Sequence, residues 1–92
     1  MKFNHIEGKD RGKVILYAIS TCIWCKKTKQ LLHDLGVSYD YVDVDLLSES
    51  EKEKVRQEVL KWKERVAYPL IVINDKVCIP TFEPDKIKME LG

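Results

Sequence analysis

The sequence lacks the features that mark several large classes of protein. It has 92 residues and a formal net charge of only +1 at pH 7, so its charge does not favour binding to nucleic acid or to a membrane surface. No apolar run approaches the roughly 18 residues that a membrane-spanning helix needs. Met1-Lys2-Phe3 leads into polar residues rather than into the apolar core of a secretion signal. We therefore expect a cytoplasmic protein without nucleic-acid or membrane partners.

Cysteine is also scarce, and its placement is informative. Three cysteines are too few for a disulfide framework, and their number is odd. This is typical of a protein from a reducing compartment. Cys78 lies between Val77 and Ile79, where we expect a small buried side chain, with a regulatory thiol as the alternative. Cys22 and Cys25 are separated by two residues, a spacing that allows a small disulfide ring to close.

The cysteine pair falls where a strand is predicted to lead into a helix. Val14 to Ala18 form an apolar run that predicts a buried strand. The predicted helix runs from near Trp24 to Leu35, and it places Thr28, Leu31, Leu32 and Leu35 on one face. Cys22 thus lies at a helix start, where unpaired N–H groups and the helix dipole favour its thiolate. Because the thiolate is the nucleophile in disulfide exchange, the pair indicates a thioredoxin-like redox site.

The rest of the chain alternates between strand and helix signals. A strand is predicted over residues 37–44, and a helix begins with a capping box formed by Ser48 and Glu51. The apolar stripe of this helix comprises Val55, Val59, Trp62 and Val66, and its charged residues are taken as a solvated face. Tyr68-Pro69 ends this segment. A hairpin follows over residues 70–79, and a last helix is predicted over residues 85–91.

This order, βαβ followed by ββα, predicts one α/β domain over residues 14–92. Residues 1–13 are an extension that forms either a short strand paired with residues 14–18 or a mobile tail. Trp62 is expected in the core. Trp24 is expected to be exposed at the turn, where it suits the docking of a substrate or a reductase.

Two other uses of the cysteine pair stay open, a metal or iron–sulfur site and a structural disulfide. A mononuclear zinc site needs further ligands, and His33 lies about 12 Å from Cys25 along the helix, too far to share an ion. We therefore expect no bound metal. Lys26 and Lys27 are either solvated or act on Cys22 by stabilising its thiolate.

Several motifs resemble the glutaredoxin family. They are Cys22-Ile23-Trp24-Cys25-Lys26-Lys27, the pair Tyr68-Pro69, and the hairpin Asn74-Asp75-Lys76-Val77-Cys78-Ile79. The resemblance implies a thioredoxin fold, with a four-stranded mixed sheet flanked by three helices and a possible extra N-terminal strand. It implies a monomeric thiol–disulfide oxidoreductase without a bound cofactor, in which Cys22 is the nucleophile and Cys25 the resolving thiol. It also implies a cis bond before Pro69, where the backbone of Tyr68 would contact an extended substrate.

Other positions depart from the members that use glutathione. Those members usually carry Pro-Tyr between the cysteines, a lysine at the position of Ile19, and Gly-Gly at the position of Pro80-Thr81. The segment Phe82-Glu83-Pro84-Asp85-Lys86-Ile87 is instead similar to the NrdH-redoxins, which are reduced by a flavoprotein and donate electrons to ribonucleotide reductase.

The resemblance therefore implies protein disulfides as substrates, with ribonucleotide reductase as a candidate, and a disulfide reductase as electron donor. Thr81 and Asp85 are implied as substrate-binding residues. A glutathione-dependent glutaredoxin and an iron–sulfur module are the alternatives, and glutathione is expected to be a poor reductant.

Overall fold

The computed structural model describes residues 3–92, which form a five-stranded mixed sheet covered by helices. The strands are β1 (Asn4–Ile6), β2 (Val14–Ala18), β3 (Tyr39–Asp43), β4 (Leu70–Ile73) and β5 (Val77–Ile79). The helices are α1 (Ile23–Leu35), α2 (Glu49–Leu60) and α3 (Pro84–Leu91), with a short 3-10 helix at Val44–Leu46. The predicted order of elements is therefore confirmed. No helix among residues 3–92 is both long and apolar enough to cross a membrane.

Strand β2 lies at the centre of the sheet, whose order is β1-β3-β2-β4-β5. It runs parallel to β3 and antiparallel to β4, and β5 pairs antiparallel with the far edge of β4. A parallel pair needs a crossover connection, which α1 provides between β2 and β3. The end of β2 and the start of α1 therefore meet at one end of the sheet, where the cysteine pair lies.

Alternate side chains of β2 enter two hydrophobic cores, one on each face of the sheet. Leu16 is fully buried in the same core as Leu32 of α1 and Ile87 of α3. Ile15 points to the opposite face, into the core that contains Val55 of α2. Because helices cover both faces, all of β2 is buried, and its sequence is a continuous apolar run.

The N-terminal strand pairs with a different neighbour from the one predicted. β1 lies antiparallel to β3, with His5 opposite Asp40, rather than beside β2. Both edges of β2 are occupied by β3 and β4, so a further strand pairs only at an outer edge of the sheet. The extension thus contains a short strand, Asn4–Ile6, while Met1 and Lys2 lie outside the described residues.

Helix α2 is shorter than its apolar stripe predicts. The Ser48 hydroxyl caps its start by accepting a hydrogen bond from the N–H of Glu51 at 3.3 Å. The helix ends at Leu60, and Trp62 packs partly buried against the core, whereas Val66 is 40% exposed. Extending the helix to Val66 would carry the chain about 9 Å further at 1.5 Å per residue, but the chain has to turn back to enter β4. Both Trp62 and Val66 therefore lie beyond the helix on which they were predicted, although Trp62 packs against the core as expected.

Candidate active site

Cys22 is the residue immediately before α1, with extended backbone angles (φ −78°, ψ 124°) and a partly exposed side chain. Its carbonyl accepts the first helical hydrogen bond, from the N–H of Lys26 at 3.1 Å. Its sulfur accepts a hydrogen bond from the N–H of Cys25 at 3.4 Å. The first turn of α1 contains no acidic residue, so no carboxylate there opposes the positive end of the helix dipole at the sulfur.

These surroundings favour the thiolate of Cys22. Burial by itself acts to raise the pKa of this thiol. Hydrogen bonds from the Cys25 thiol and from the N–H groups of Cys25 and Trp24 outweigh burial and leave the pKa below its ordinary value. A lower pKa increases the thiolate fraction near neutral pH, and the thiolate is the attacking species. Cys22 is therefore the better placed nucleophile of the pair.

Cys25 lies in the first turn of α1 and is fully buried. Burial raises the pKa of its thiol to about 12. The N–H of Ile19, which lies 3.4 Å from the sulfur, acts against this rise, Cys22 adds to it, and the charge of Lys29 opposes it. A buried thiol that keeps its proton suits a resolving cysteine, because it stays unreactive until a disulfide has formed on its neighbour.

Asp45 holds the turn between β2 and Cys22. Its carboxylate accepts a hydrogen bond from the N–H of Ser20 at 2.8 Å and one from the Ser20 hydroxyl at 2.5 Å. These hydrogen bonds hold the pKa of the Asp45 carboxyl below its usual range. The N–H of Cys22 donates to the carbonyl of Ile19 at 3.1 Å. The carboxylate therefore supports the turn that presents the Cys22 sulfur.

Trp24 forms an exposed aromatic surface beside the cysteines. Its side chain is 52% exposed, as the sequence predicts. The indole stacks on the ring of Phe82 with 5.7 Å between centroids, and the Nζ of Lys27 lies 4.6 Å from the indole centre. Phe82 belongs to the loop between β5 and α3, so the stack joins that loop to the start of α1. Aromatic and cation–π contacts of this kind stabilise the surface.

The segment before β4 forms another side of the site. The peptide bond between Tyr68 and Pro69 is cis, as the resemblance implies. Pro69 is buried, and Tyr68 packs partly buried against the same core as Cys22 and Phe82. Burial raises the pKa of the Tyr68 hydroxyl. The structure therefore brings the cysteine pair, the aromatic stack and the Tyr68 loop together at one end of the sheet.

The remaining predicted site residues lie on the surface. Thr81 is exposed in the loop after β5, Asp85 in the first turn of α3, and Lys26 on α1. In the described part of the chain, the side chains of these three residues form no hydrogen bond or ion pair. Their predicted roles, and the predicted effect of Lys27 on Cys22, stay predictions. Cys78 is only partly buried, against the core that faces α2.

Cys22, Cys25 and Cys78 are free thiols. Among residues 3–92, no three histidine, cysteine or acidic side chains form a group that could hold a metal ion. The expected absence of a metal or another cofactor stays a prediction.

A cavity of about 570 Å³ opens beside Ile19 and Tyr68. It combines apolar and charged side chains, namely Val44, Asp45, Lys52, Arg56, Leu60, Glu64, Arg65 and Val66. Within residues 3–92, neither Arg56 nor Arg65 forms an ion pair. The charged residues of α2 were expected to form a solvated face, and their place at the border of this cavity was not predicted.

Asp45, Phe82 and Lys29 also support the site and were not singled out from the sequence. Phe82 does lie in the segment similar to the NrdH-redoxins, and this was a usable signal. The sequence gives no such signal for Asp45 or Lys29, because their partners Ser20 and Asp43 are distant along the chain.

Comparison with known proteins identifies this arrangement. The glutaredoxin family profile matches residues 14–78, from the start of β2 into β5. The chain belongs to the glutaredoxin family. Glutaredoxins are thiol–disulfide oxidoreductases with a thioredoxin fold, so the predicted family, fold and enzyme class are confirmed. The sheet of this glutaredoxin has five strands, because the possible N-terminal strand is present.

Two solved structures are similar to this glutaredoxin along its whole length. The glutaredoxin from Methanosarcina mazei Go1 is 49% identical, with a TM-score of 0.92, and the match covers 100% of this chain and 89% of that one. Methanoredoxin from Methanosarcina acetivorans is 43% identical, with a TM-score of 0.92, and the match covers 100% and 96%.

NrdH-redoxin from Escherichia coli is a more distant neighbour of this glutaredoxin. Its TM-score is 0.64 at 19% identity, over 84% of this chain and 92% of that one. This likeness shows a shared fold. It does not extend to the reductase or to the substrate.

Proposed function

We propose that this glutaredoxin is a dithiol electron donor that reduces disulfides of other proteins through Cys22 and Cys25. The contrast between the two thiols carries the proposal. Cys22 is partly exposed at the start of α1 with a lowered pKa, whereas Cys25 is fully buried and its pKa is about 12. One thiol is thus suited to attack a substrate, and the other to complete the exchange.

The reaction has two displacement steps. The Cys22 thiolate attacks one sulfur of the substrate disulfide, which breaks the S–S bond, forms a mixed disulfide and releases one substrate thiolate. Cys25 then loses its proton and attacks the sulfur of Cys22, which releases the second substrate thiolate. Each released thiolate takes up a proton. Two electrons pass to the substrate, and a disulfide between Cys22 and Cys25 remains.

A disulfide reductase, which we propose to be a flavoprotein, then returns two electrons to the pair. The surfaces around Cys22 support an extended protein substrate. Trp24 presents an exposed ring, and the backbone of Tyr68 beside Pro69 is proposed to hydrogen-bond to the substrate. Thr81 and Asp85 lie on the exposed side of the neighbouring loop and helix and are proposed to contact the same segment. The protein is proposed to act as a monomer in the cytoplasm, with ribonucleotide reductase as a candidate substrate.

Reduction of insulin disulfides tests the proposal, with electrons supplied by NADPH through a thioredoxin-reductase-type flavoprotein. Cys22→Ser is expected to abolish reduction. Cys25→Ser is expected to accumulate a mixed disulfide through Cys22, because the resolving thiol is absent. Cys78→Ser serves as the control and is expected to behave like the wild type. A stable adduct trapped through Cys25 in the Cys22→Ser variant would reverse the assignment of the two thiols.

A second candidate, a glutathione-dependent glutaredoxin, is favoured by the cavity beside Ile19. Ile19 replaces the lysine that the resemblance associates with a glutathione carboxylate, but Arg56 and Arg65 border the cavity without carboxylate partners among residues 3–92. Guanidinium groups bind carboxylates well. Against this candidate, Pro80 has no N–H to donate, and Thr81 has a side chain where glutathione-using members carry glycine.

A mixed disulfide of glutathione and a small thiol separates the two candidates. With glutathione and glutathione reductase as electron source, we expect slow turnover. The loss of two contacts with glutathione, each of about 1.5–3 kcal/mol, would weaken glutathione binding by roughly 10²–10⁴-fold. The second candidate would be established instead if turnover equals that of a dithiol glutaredoxin measured in parallel and is lost in Arg56→Met.

A further inference from the structure

Two loops border the cysteine pair on the side of Pro69. One loop runs from the end of α2 to Pro69 and carries Tyr68. The other runs from β5 to α3 and carries Thr81 and Phe82. Among the described residues, no backbone hydrogen bond joins the two loops. The pairing of β4 with β5 fixes the two loops where they meet the sheet. Beyond the sheet, contacts between the loops depend on side chains, and both loops contribute to the proposed substrate surface.

The side chain of Lys63 contacts both loops. Its Nζ donates to the carbonyl of Ala67 at 3.3 Å and also to the carbonyl of Pro80. Ala67 directly precedes Tyr68, and Pro80 directly precedes Thr81. A single ammonium group thus bridges the backbone positions next to two proposed substrate contacts.

The bridge formed by Lys63 is partly enclosed by the surrounding protein. The side chain is partly buried, and burial lowers the pKa of its amine, while the nearby Cys78 acts in the opposite direction. Among residues 3–92, no carboxylate pairs with this ammonium. Within the described part of the chain, the ammonium therefore donates to the two loop carbonyls. Hydrogen bonds from a charged donor are stronger than those from a neutral donor. Lys61, two residues earlier, is exposed and instead pairs with Glu58 at 2.9 Å.

We propose that Lys63 is a positioning residue that holds the Tyr68 loop and the Thr81–Phe82 loop at a fixed separation beside Cys22. The claim about substrate rests on the proposed function, because it assumes that a protein segment binds between these loops. The claim about the loops does not depend on it. Lysine suits this role because its ammonium carries three N–H donors at the end of a flexible stem, so that one group can donate to two carbonyls at once.

The expected consequence is weaker substrate binding with unchanged thiol chemistry. Without the ammonium, the two loops separate and the Phe82 ring is held less firmly against Trp24. Lys63 touches neither cysteine through a hydrogen bond, so the reactivity of Cys22 is expected to stay the same. The loss should appear in KM for a protein disulfide and not in kcat.

The test compares Lys63→Met with Lys61→Met, which removes a lysine from the same segment. Lys63→Met is expected to raise KM for insulin about tenfold, which is less than the loss of two charge-assisted hydrogen bonds would give, because these bonds act on the loops and not directly on the substrate. Its kcat and the pH profile of Cys22 alkylation should match those of Lys61→Met. Lys63→Arg, which also donates to two carbonyls, is expected to recover most of the change in KM.

Fluorescence of Trp24 tests the loop claim without a substrate. A Trp62→Phe background leaves Trp24 as the single tryptophan. In this background, Lys63→Met is expected to shift the emission to longer wavelength, because the ring loses its neighbour and gains water. If Lys63→Met does not fold, Lys63→Gln, which is too short to bridge both carbonyls, is expected to show the same shift and the same rise in KM.

Equal KM and equal emission in the Lys63 and Lys61 variants would overturn the proposal. A fall in kcat at constant KM would also overturn it, since this would place Lys63 in the chemical step. A wild-type protein that reduces no protein disulfide would contradict the proposed function, while the emission shift would still test the loop claim.

Discussion

At the scale of single residues, the chemistry depends on how differently two nearby thiols are solvated. Cys22 receives hydrogen bonds at the start of α1, while Cys25 in the first turn of that helix lies in the core. The same helix thus stabilises one thiolate and destabilises the other. This difference predicts separate titrations for the two sulfurs.

In Cys25→Ser, which keeps a hydroxyl donor near Cys22, the rate of iodoacetamide alkylation should follow a pKa below the roughly 8.5 of free cysteine. In Cys22→Ser, the remaining pair member should react slowly, because burial raises the pKa of Cys25 to about 12. Both variants also carry Cys78→Ser so that one thiol remains. Titration of Cys22 at the value of the unfolded chain in urea would contradict the hydrogen-bond argument.

Lys29 is predicted to assist the resolving step. Its Nζ lies 2.9 Å from Asp43 and 4.3 Å from the ring of Tyr41, and its charge acts to lower the pKa of Cys25. Lys29→Met should therefore raise that pKa further and slow resolution of a mixed disulfide, by less than the roughly tenfold of a whole pKa unit because Lys29 has the smallest of the effects on this thiol. Stopped-flow release of substrate from the mixed disulfide measures this rate.

The exposed Lys54→Met on α2 is the control for Lys29→Met, since it removes the same charge from a different helix. Equal resolution rates in the two variants would show that Lys29 has no such effect.

At the scale of elements, the Asp45 carboxylate stabilises the turn between β2 and α1 by accepting hydrogen bonds from Ser20. The folded state keeps the pKa of this carboxyl below its ordinary value of 3.8. The resulting stability is present above pH 3.8 and is lost as the pH falls through the lower, folded-state pKa. Asp45→Asn should therefore lower the urea midpoint at about pH 7 more than at about pH 3.

Asp45→Asn should also slow alkylation of Cys22, because the turn that presents the sulfur is less firmly held. The exposed Glu90→Gln on α3 is the matched control. A urea midpoint that changes equally at both pH values would contradict the role given to the Asp45 carboxylate.

At the scale of the whole molecule, the N-terminal strand β1 is joined to β3 by a pH-sensitive contact. The Nδ1 of His5 lies 2.7 Å from Asp40 on β3, and its Nε2 lies 3.1 Å from Glu7. The hydrogen bond with Asp40 raises the pKa of His5 above 6.5, against a smaller effect of burial. This stability is present below pH 6.5 and is lost as the pH rises through the higher, folded-state pKa.

His5→Gln should consequently flatten the pH dependence of the thermal midpoint above pH 6.5. His33→Gln replaces the other histidine of the chain and is the control. If the two variants show the same pH dependence as the wild type, the contact between β1 and β3 does not titrate as described.

The positions of several structural elements were determined by the local sequence. The apolar run of β2, the helical spacing of α1 and the cap at Ser48 depend on neighbouring residues, so their positions follow from periodicity and capping chemistry. The same holds for Cys22, because its place at a helix start is set by the residues on either side. The family motifs add the cis bond before Pro69.

Tertiary structure decided what depends on residues far apart in the chain. The pairing of β1 with β3 was mispredicted because the edges of β2 are filled by strands that come later in the sequence. Helix α2 ends before Val66 because the chain has to return to β4, a constraint that its apolar stripe does not contain. Burial of Cys25 and the bridge made by Lys63 likewise arise only when distant segments pack together. Short-range patterns thus placed Cys22 at the start of a helix, while the packing of distant segments determined the neighbours of the two thiols and shifted their pKa values.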